Sequence, residues 1–260
     1  MQPASARSLW LERLLGAITI GGLLLVLELV VRTGGVNPAL IPAPSQVLLQ
    51  TWRIVMSASL FEPLRSTLYL LFAGYFLGSA LAIALGLLMG RFQAAYHLFE
   101  PLVELLRPLP KPALLPPLIL FLGLGDPMKL TVVGLGVFFP ILINTIQGVR
   151  GTDPVQINVA RTFGHSGARV LLKVILPSAM PMIFAGMRVG LGLGLILVVI
   201  AEMLAGTGGV GFLIIDMQRT FQVTRMYAWL LILAVLGFAL NSLFVRLERR
   251  AIHWALPSAT

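Results

Sequence analysis

Cysteine is absent from this sequence, and charged residues are scarce. Without a single cysteine among 260 residues, the chain forms no disulfide, no thiolate metal site and no cysteine nucleophile. Charged residues make up 11% of the chain and hydrophobic residues 58%, whereas a soluble domain carries about 25% charged and about 45–50% apolar residues. So few polar residues cannot cover the surface of a water-soluble globule. We therefore expect a polytopic membrane protein.

Motifs of catalysis and metal binding are also missing. The three histidines, His97, His165 and His253, lie far apart without metal-ligand spacing, so we expect no metal site. No Ser/His/Asp arrangement stands out, which argues against an enzyme and leaves no catalytic residue to name. The formal charge of +9 would suggest nucleic acid in a soluble protein, but in a membrane protein it more often reflects basic cytoplasmic loops. We expect no nucleic-acid partner.

The hydrophobic runs predict about six spans, because crossing a bilayer takes roughly 20 apolar residues. They lie at about residues 16–31, 67–89, 101–124, 130–147, 180–205 and 228–245. The first run follows a short arm with Arg7 and Arg13, an arrangement that also describes a signal peptide. It is long for that role and is followed by Arg32 and two glycines rather than a small-residue cleavage site, so we interpret it as a retained span.

Two segments interrupt this pattern. Prolines make residues 37–44 extended, after which Ser45 is a plausible N-cap for an amphipathic helix at residues 47–57. The third hydrophobic stretch contains six prolines, five of them at residues 108–117, with Arg107 and Lys111 between them. Irregular backbone at membrane depth persists only where protein or a watery cavity satisfies its polar groups. We therefore expect this stretch to lie inside the protein or beside a cavity.

The basic residues outside the spans predict the orientation. Six spans place both termini on one side of the membrane. That side carries ten basic residues against six on the other, and the positive-inside rule then puts both termini in the cytoplasm. The ten are Arg7, Arg13, Arg91, Arg150, Arg161, Arg169, Lys173, Arg246, Arg249 and Arg250. The six are Arg32, Arg53, Arg65, Lys129, Arg219 and Arg225.

The longest cytoplasmic loop, residues 148–177, has the pattern of helix, glycine turn and helix. Asp153 followed by Pro154 is a strong helix start, and the helix should run to Phe163. Gly164 suits a left-handed C-terminal position. Ser166 can cap a second helix at residues 167–175, which should end near Pro177. From the residues alone, a docking element and a solvated loop are both open.

This loop resembles the EAA loop of ATP-binding-cassette importer permeases. The family pattern is EAA-x3-G-x9-I-x-LP, and here Ala160, Gly164, Leu176 and Pro177 occupy matching positions. Asn158 replaces the usual glutamate, and Ile175 stands one place later than the family isoleucine. The segments LLRPLPKPALLPPLILFLGLGDPMK, FFPILINTIQGVRGTDP, MRVGLGLGLILVVIAEMLAGTGGVGFLI and LERRAIHW are similar to permeases for nitrate, alkanesulfonates, taurine and related anions. The similarity covers roughly residues 15–254.

The resemblance implies a fold and a set of partners. The fold would be all-α and polytopic, one transmembrane permease domain over residues 1–260 with a cytoplasmic coupling helix, as in type I importers. Two ATPase subunits would bind ATP and Mg²⁺, and this chain, which has no G-x4-GK[ST] loop, would bind no cofactor itself. An extracytoplasmic binding protein would deliver the substrate, and a second copy would complete the permease. The implied ATPase-coupling residues are Asp153, Asn158, Ala160, Arg161, Phe163, Gly164, Leu176 and Pro177. Of these, Ala160 and Phe163 would pack on the ATPase, and Arg161 is either paired with an acidic group there or simply solvated.

Ionisable residues at membrane depth suggest a substrate path, because burying them is costly. The candidates are Arg107, Lys111, Arg188 and Glu202. The three basic ones would give a cavity positive potential for a small anion. The alternative is that they snorkel to the interface or form structural pairs with Glu104 or Glu202.

Other patterns are weaker. Gly206-x-Gly208-x-x-Gly211 fits the dinucleotide fingerprint but follows an apolar span rather than a strand, so we interpret it as an extracytoplasmic turn. Glycine and alanine stripes at residues 78–90 and 186–194 allow close helix packing, either between subunits or within one bundle.

An ion-gradient-driven secondary transporter would also suit broken helices and buried charges, and a membrane-embedded enzyme is a third class. Neither of these has a need for the EAA-like loop.

Overall fold

The structure is a computed structural model that describes residues 6–254, with side chains from Leu14 onward except at Ala17. The side chains of Arg7 and Arg13, assigned above to a basic arm, lie outside the described part. Within residues 6–254, all regular secondary structure is helical, so the predicted all-α class is confirmed. The helices are α1 (Ala6–Arg32), α2 (Pro44–Met56), α3 (Phe61–Arg91), α4 (Gln93–Leu106), α5 (Leu115–Leu122), α6 (Asp126–Arg150), α7 (Pro154–Thr162), α8 (Gly167–Val170), α9 (Leu176–Ala205), α10 (Val210–Arg219) and α11 (Val223–Ala251).

Five helices of the described chain are long and apolar enough to cross a membrane, or six if one bent pair counts as a span. The bent pair is Gln93–Leu106 with Lys111–Leu122, and its two parts meet at 90°. The third hydrophobic stretch is thus two short helices rather than one span at residues 101–124. The reason is local: prolines between Arg107 and Pro117 remove backbone donors and force extended conformations on the residues before them.

The second helix of the EAA-like loop, residues 148–177, differs from the prediction. It was expected to end near Pro177, but one continuous helix runs over Gly167–Ala205. The turn Leu171–Ile175 is a π-helix, in which the Leu176 N–H donates to the Leu171 carbonyl. Because the helix widens immediately before Pro177, the proline ring meets a looser turn and the missing N–H is tolerated.

The contacts between residues divide the chain into two compact units. One contains the described residues up to Leu60 together with Leu213–Ile232. In it the Glu28 carboxylate on α1 accepts bonds from the Ser45 N–H at 2.9 Å, the Ser45 hydroxyl at 2.7 Å and the Arg32 guanidinium at 2.7 Å. The prediction that Ser45 caps α2 is therefore wrong. The N-cap is Ala43, because the Ser45 hydroxyl is engaged by Glu28 instead.

The second unit contains Phe61–Phe212 and the described residues from Leu233 onward. Its core is built on α6, which packs against α3 and α9. The glycine stripes make these contacts within the chain: a Cβ added at Gly78 would lie 2.6 Å from the Gly134 carbonyl oxygen, and one added at Gly186 would lie 2.8 Å from the Asn144 Cβ. Small residues let the backbones approach closely, which is what drives helix association in a bilayer.

Candidate functional site

Helix α7 is defined by its two ends. At its start the Asp153 carboxylate accepts the Val155 N–H at 2.8 Å, with Pro154 at the first position, so the predicted cap is confirmed. At its end Gly164 has φ +75°. The His165 N–H donates to the Ala160 carbonyl at 3.1 Å and the Gly164 N–H donates to that of Arg161 at 2.9 Å. These two bonds form a Schellman motif, which fixes the direction of the chain after α7.

The two faces of α7 have different surroundings. Ala160 is 7% exposed and packs in an apolar cluster of this chain, so most of its surface already contacts its own chain; its packing on the ATPase stays a prediction. Phe163 is 79% exposed, and Val155 and Val159 are also exposed; Asn158 and Arg161 lie at the surface beside them. One face of α7 therefore anchors the helix to its own chain, and the other presents apolar side chains outward.

An open cavity of about 800 Å³ borders this exposed face. Pro177 belongs to its wall, whereas Leu176 is half-buried on the adjoining turn. Trp254, near the end of the described chain, also borders the cavity, a placement that the sequence did not predict. The remaining lining residues are Val155, Gln156, Val159, Ala160, Phe163, His165, Lys173, Val174, Ser178 and Pro181.

A second cavity, of about 520 Å³, lies at the break between α4 and α5. Arg107 and Lys111, two of the four candidates for a substrate path, both line it. Their charges are not equally available. The Lys111 ammonium donates to three backbone carbonyls, of Leu106 at 2.9 Å, Arg107 at 3.1 Å and Leu109 at 2.9 Å. An ammonium has three donors, so Lys111 has none left for a substrate.

Arg107 is the freer of the two cations. Its side chain is 52% exposed, and its guanidinium is 3.6 Å from the Glu104 carboxylate, which is the pair with Glu104 considered above. An exposed ion pair of this length contributes little to stability and leaves most of the guanidinium donors unused. The rest of the lining is mainly apolar: Leu109, Pro112, Gly136, Phe139, Pro140, Ile143, Asn144, Leu193, Ile196 and Leu197.

The two ionisable residues of α9 are not in this cavity. Arg188 forms an ion pair with Glu248 of α11; the predicted alternative partner, Glu202, lies elsewhere. Glu202 is fully buried and accepts bonds from the Thr67 hydroxyl at 2.9 and 3.0 Å and from the Gly211 N–H at 2.9 Å. The Thr67 hydroxyl in turn accepts the Val210 N–H at 2.9 Å. The Glu202 carboxylate thus stabilises the turn that follows α9. No strand of a dinucleotide-binding fold precedes that turn in the described chain.

Comparison with known families decides the identity. Residues 78–253 match the family described as the inner membrane component of binding-protein-dependent transport systems. The chain belongs to this family. It is the permease subunit of an ATP-driven importer, an inner-membrane protein that works with an ATPase and a binding protein. The predicted family and function are therefore confirmed.

Several curated relatives resemble the permease over most of its length. The putative aliphatic sulfonates transport permease protein SsuC of Bacillus subtilis is 31% identical over 97% of this chain and 91% of the relative. The taurine transport system permease protein TauC of Escherichia coli is 32% identical over 84% of this chain and 82% of the relative. The nitrate import permease protein NrtB of Synechocystis is 29% identical, with 89% and 86% covered.

Solved structures confirm the fold of the permease. A chain of the MetNI methionine ABC transporter in an inward-facing conformation has a TM-score of 0.63 at 20% identity, covering 75% of this chain and 99% of that chain. A chain of an amino acid ABC transporter with histidines has a TM-score of 0.58 at 18% identity, covering 74% of this chain and 91% of that chain. The predicted type I importer architecture is thereby confirmed.

Sequence reasoning missed the partners of the two ionisable residues of α9 in the permease. Glu248 and Thr67 were not singled out, yet they pair with Arg188 and Glu202 across 60 and 135 residues of sequence. The signal for Glu248 was a lone acidic residue among the basic residues that end α11. Thr67 carried no signal, since a threonine early in an apolar span is ordinary.

Proposed function

We propose that this permease imports a small anion and that Arg107 is its direct contact within the cavity of about 520 Å³. The observation that carries the proposal is the unequal state of the two cations there: Lys111 is saturated by carbonyls, whereas the Arg107 guanidinium is half-exposed. A guanidinium binds planar or tetrahedral oxyanions through paired N–H donors. The curated relatives for sulfonates, taurine and nitrate all have anionic or zwitterionic cargo of this kind.

We further propose that α7 is the coupling helix, that it docks on a cytoplasmic ATPase, and that both termini of the permease are cytoplasmic. The exposed apolar side chains of α7, above all Phe163, support the docking, and Asn158 and Arg161 supply polar contacts at the same surface. Two ATPase subunits would hold ATP and Mg²⁺, and a second copy of this chain would complete the pathway.

Uptake by the purified transporter in proteoliposomes tests the anion contact. Taurine, ethanesulfonate and nitrate serve as probes. We expect Arg107→Gln to raise the KM for the transported probe by roughly 10–100-fold, because a hydrogen bond to a charged group contributes about 1.5–3 kcal/mol. Arg107→Lys should retain part of the affinity. An unchanged KM in Arg107→Gln would contradict the proposal.

Two glycines of the coupling loop offer a matched test of α7. A Cβ at Gly164 or at Gly167 would meet no atom within 4 Å, but only Gly164 has positive φ. Gly164→Val should therefore strain the turn, because a β-branched residue disfavours positive φ, and should uncouple ATP hydrolysis from uptake. Gly167→Val should leave coupling intact. Equal coupling in both variants would refute the role of the turn.

A pull-down from native membranes tests the partners. Tagged permease should co-purify with a protein that carries a Walker-type ATPase sequence, and chemical cross-linking should join two permease copies. A permease that purifies alone, under conditions that preserve a known importer complex, would contradict the proposed assembly.

A further inference from the structure

Besides the packing of Val103 in the core, two contacts attach helix α4 to the rest of its unit near its ends. Near its start, the Tyr96 ring lies under the guanidinium of Arg150, whose Cζ is 3.5 Å from the ring centroid. Beyond its other end, the Lys111 ammonium binds the carbonyls of Leu106, Arg107 and Leu109. The same ammonium lies 4.3 Å from the centre of the Phe139 ring on α6. Both attachments therefore connect α4 to α6 through a cation on an aromatic ring.

These two ends adjoin the two functional regions of the permease. Arg150 is the last residue of α6, three positions before Asp153, the N-cap of α7. Arg107 follows the last residue of α4 and lines the cavity proposed for the anion. One helix of 14 residues, α4, therefore lies between the end of α6 that precedes α7 and Arg107.

The middle of α4 has room to move. An apolar groove of about 460 Å³ separates it from α3 and α6; Leu102 lies on the α4 side, Leu81 on the α3 side and Leu135 on the α6 side. Val103 is the one buried residue of α4. Pro101, inside the helix, removes a backbone hydrogen bond and weakens it at this point.

We propose that α4 is a movable strut that transmits the displacement of α7 to Arg107, with Tyr96 and Arg150 as its joint at the coupling end. The inference rests on the proposed function. A cation on an aromatic ring suits such a joint, because the contact tolerates tilting that a fixed hydrogen bond would not. The two states would be an open and a closed groove, which supplies the bistable element that coupling between distant sites requires. Tyr96 and Arg150 are positioning residues and touch no substrate.

Distance measurements across the groove test the movement. The native chain has no cysteine, so Leu81→Cys and Leu102→Cys accept a nitroxide pair without any background label. Pulsed electron paramagnetic resonance on the assembled transporter in lipid nanodiscs then compares the nucleotide-free state with the state trapped by ATP and vanadate. The distance between the nitroxides at positions 81 and 102 should change on trapping. The control pair of Leu81→Cys and Leu135→Cys, on the directly packed α3 and α6, should not change.

Variants at the joint then link the movement to transport. In the Tyr96→Ala background the distance change and uptake should both be lost while vanadate trapping persists; Tyr96→Phe, which keeps the ring, should retain all three. Arg150→Met should reproduce the loss, and the double variant should be no worse than either single one. The single variant Arg150→Met tests the same contact even if Tyr96→Ala fails to assemble.

Three results would overturn the strut. They are an unchanged distance in a labelled transporter that still imports, a control pair that moves equally, and wild-type uptake in Arg150→Met. Loss of vanadate trapping in the parent protein would instead contradict the proposed ATPase partner and so remove the basis of the inference. An unchanged KM in Arg107→Gln, with the distance change intact, would refute the anion contact alone.

Discussion

Replacing Glu202 by alanine tests whether its network stabilises the turn after α9. The Glu202 side chain is fully buried, and its two oxygens accept the Thr67 hydroxyl and the Gly211 N–H. Alanine leaves both donors without this acceptor in a site that is fully buried in the native chain. An orphaned buried donor costs about 1–3 kcal/mol, so two predict a loss of about 2–6 kcal/mol, to which the vacated volume adds.

Replacing Glu202 by glutamine removes the charge of the side chain and keeps its volume, so the two contributions to stability can be compared. Glu202→Gln keeps the size of the side chain and one oxygen acceptor. Its amide NH₂ must face either the Gly211 N–H or the Thr67 hydroxyl. Of these two groups, only the Thr67 hydroxyl can accept a hydrogen bond. We expect a loss of about 1–2 kcal/mol, since the hydrogen bonds to a carboxylate are replaced by weaker bonds to a neutral amide. The order of stability should therefore be wild type, then Glu202→Gln, then Glu202→Ala.

Unfolding of the detergent-solubilised permease by SDS measures these free energies. Glu104→Ala is the matched control, because Glu104 is 62% exposed and its pair with Arg107 spans 3.6 Å; it should change stability by less than about 1 kcal/mol. If Glu202→Ala unfolded at the same denaturant concentration as Glu104→Ala, the buried network would not stabilise the turn and the reasoning would fail.

Three further changes have clear expected outcomes. Gly78→Ala should destabilise the permease by about 1–3 kcal/mol through overpacking, since its Cβ meets a backbone carbonyl at 2.6 Å, whereas Gly192→Ala, which meets nothing within 4 Å, should be neutral in the same SDS titration. Arg188→Ala and Glu248→Ala should each destabilise by about 1–2 kcal/mol, because the Glu248 side chain is only 11% exposed; the exchanged pair, Arg188→Glu with Glu248→Arg, should recover part of this, and additive losses would exclude a direct interaction. Asp153→Ala should speed amide hydrogen exchange in the first turn of α7 by roughly fivefold or more, as a lost N-cap costs about 1 kcal/mol, while Asp153→Asn should exchange at the native rate; equal protection in the two variants would contradict the capping role.

The local features of the coupling loop could be predicted because each depends on adjacent residues. Asp153 before Pro154 places an acceptor beside free N–H groups, and Gly164 adopts a positive φ at little cost, so cap and turn follow from the chain itself. The continuation of the helix through Pro177 could not be predicted in this way. It depends on a π turn immediately before the proline, and that turn is not encoded by a local signal.

The sequence by itself determined the class of the molecule. A chain with 58% hydrophobic and 11% charged residues must place most of its surface in lipid, where every backbone polar group has to be satisfied within a helix. The prolines between Arg107 and Pro117 determined that the third hydrophobic stretch is broken, and the EAA-like loop identified the family.

Only the tertiary structure decided what the charges inside the helices do. Four candidates for a substrate path looked equivalent along the chain, yet Lys111 is saturated by carbonyls, Arg188 pairs with Glu248, and Glu202 holds a turn together with Thr67. Arg107 alone among the four keeps a largely free charge beside a cavity. The partner of an ionisable side chain depends on which helix faces pack together and on where each residue lies along its helix axis. Those relations join residues separated by as many as 135 positions, so no local pattern contains them.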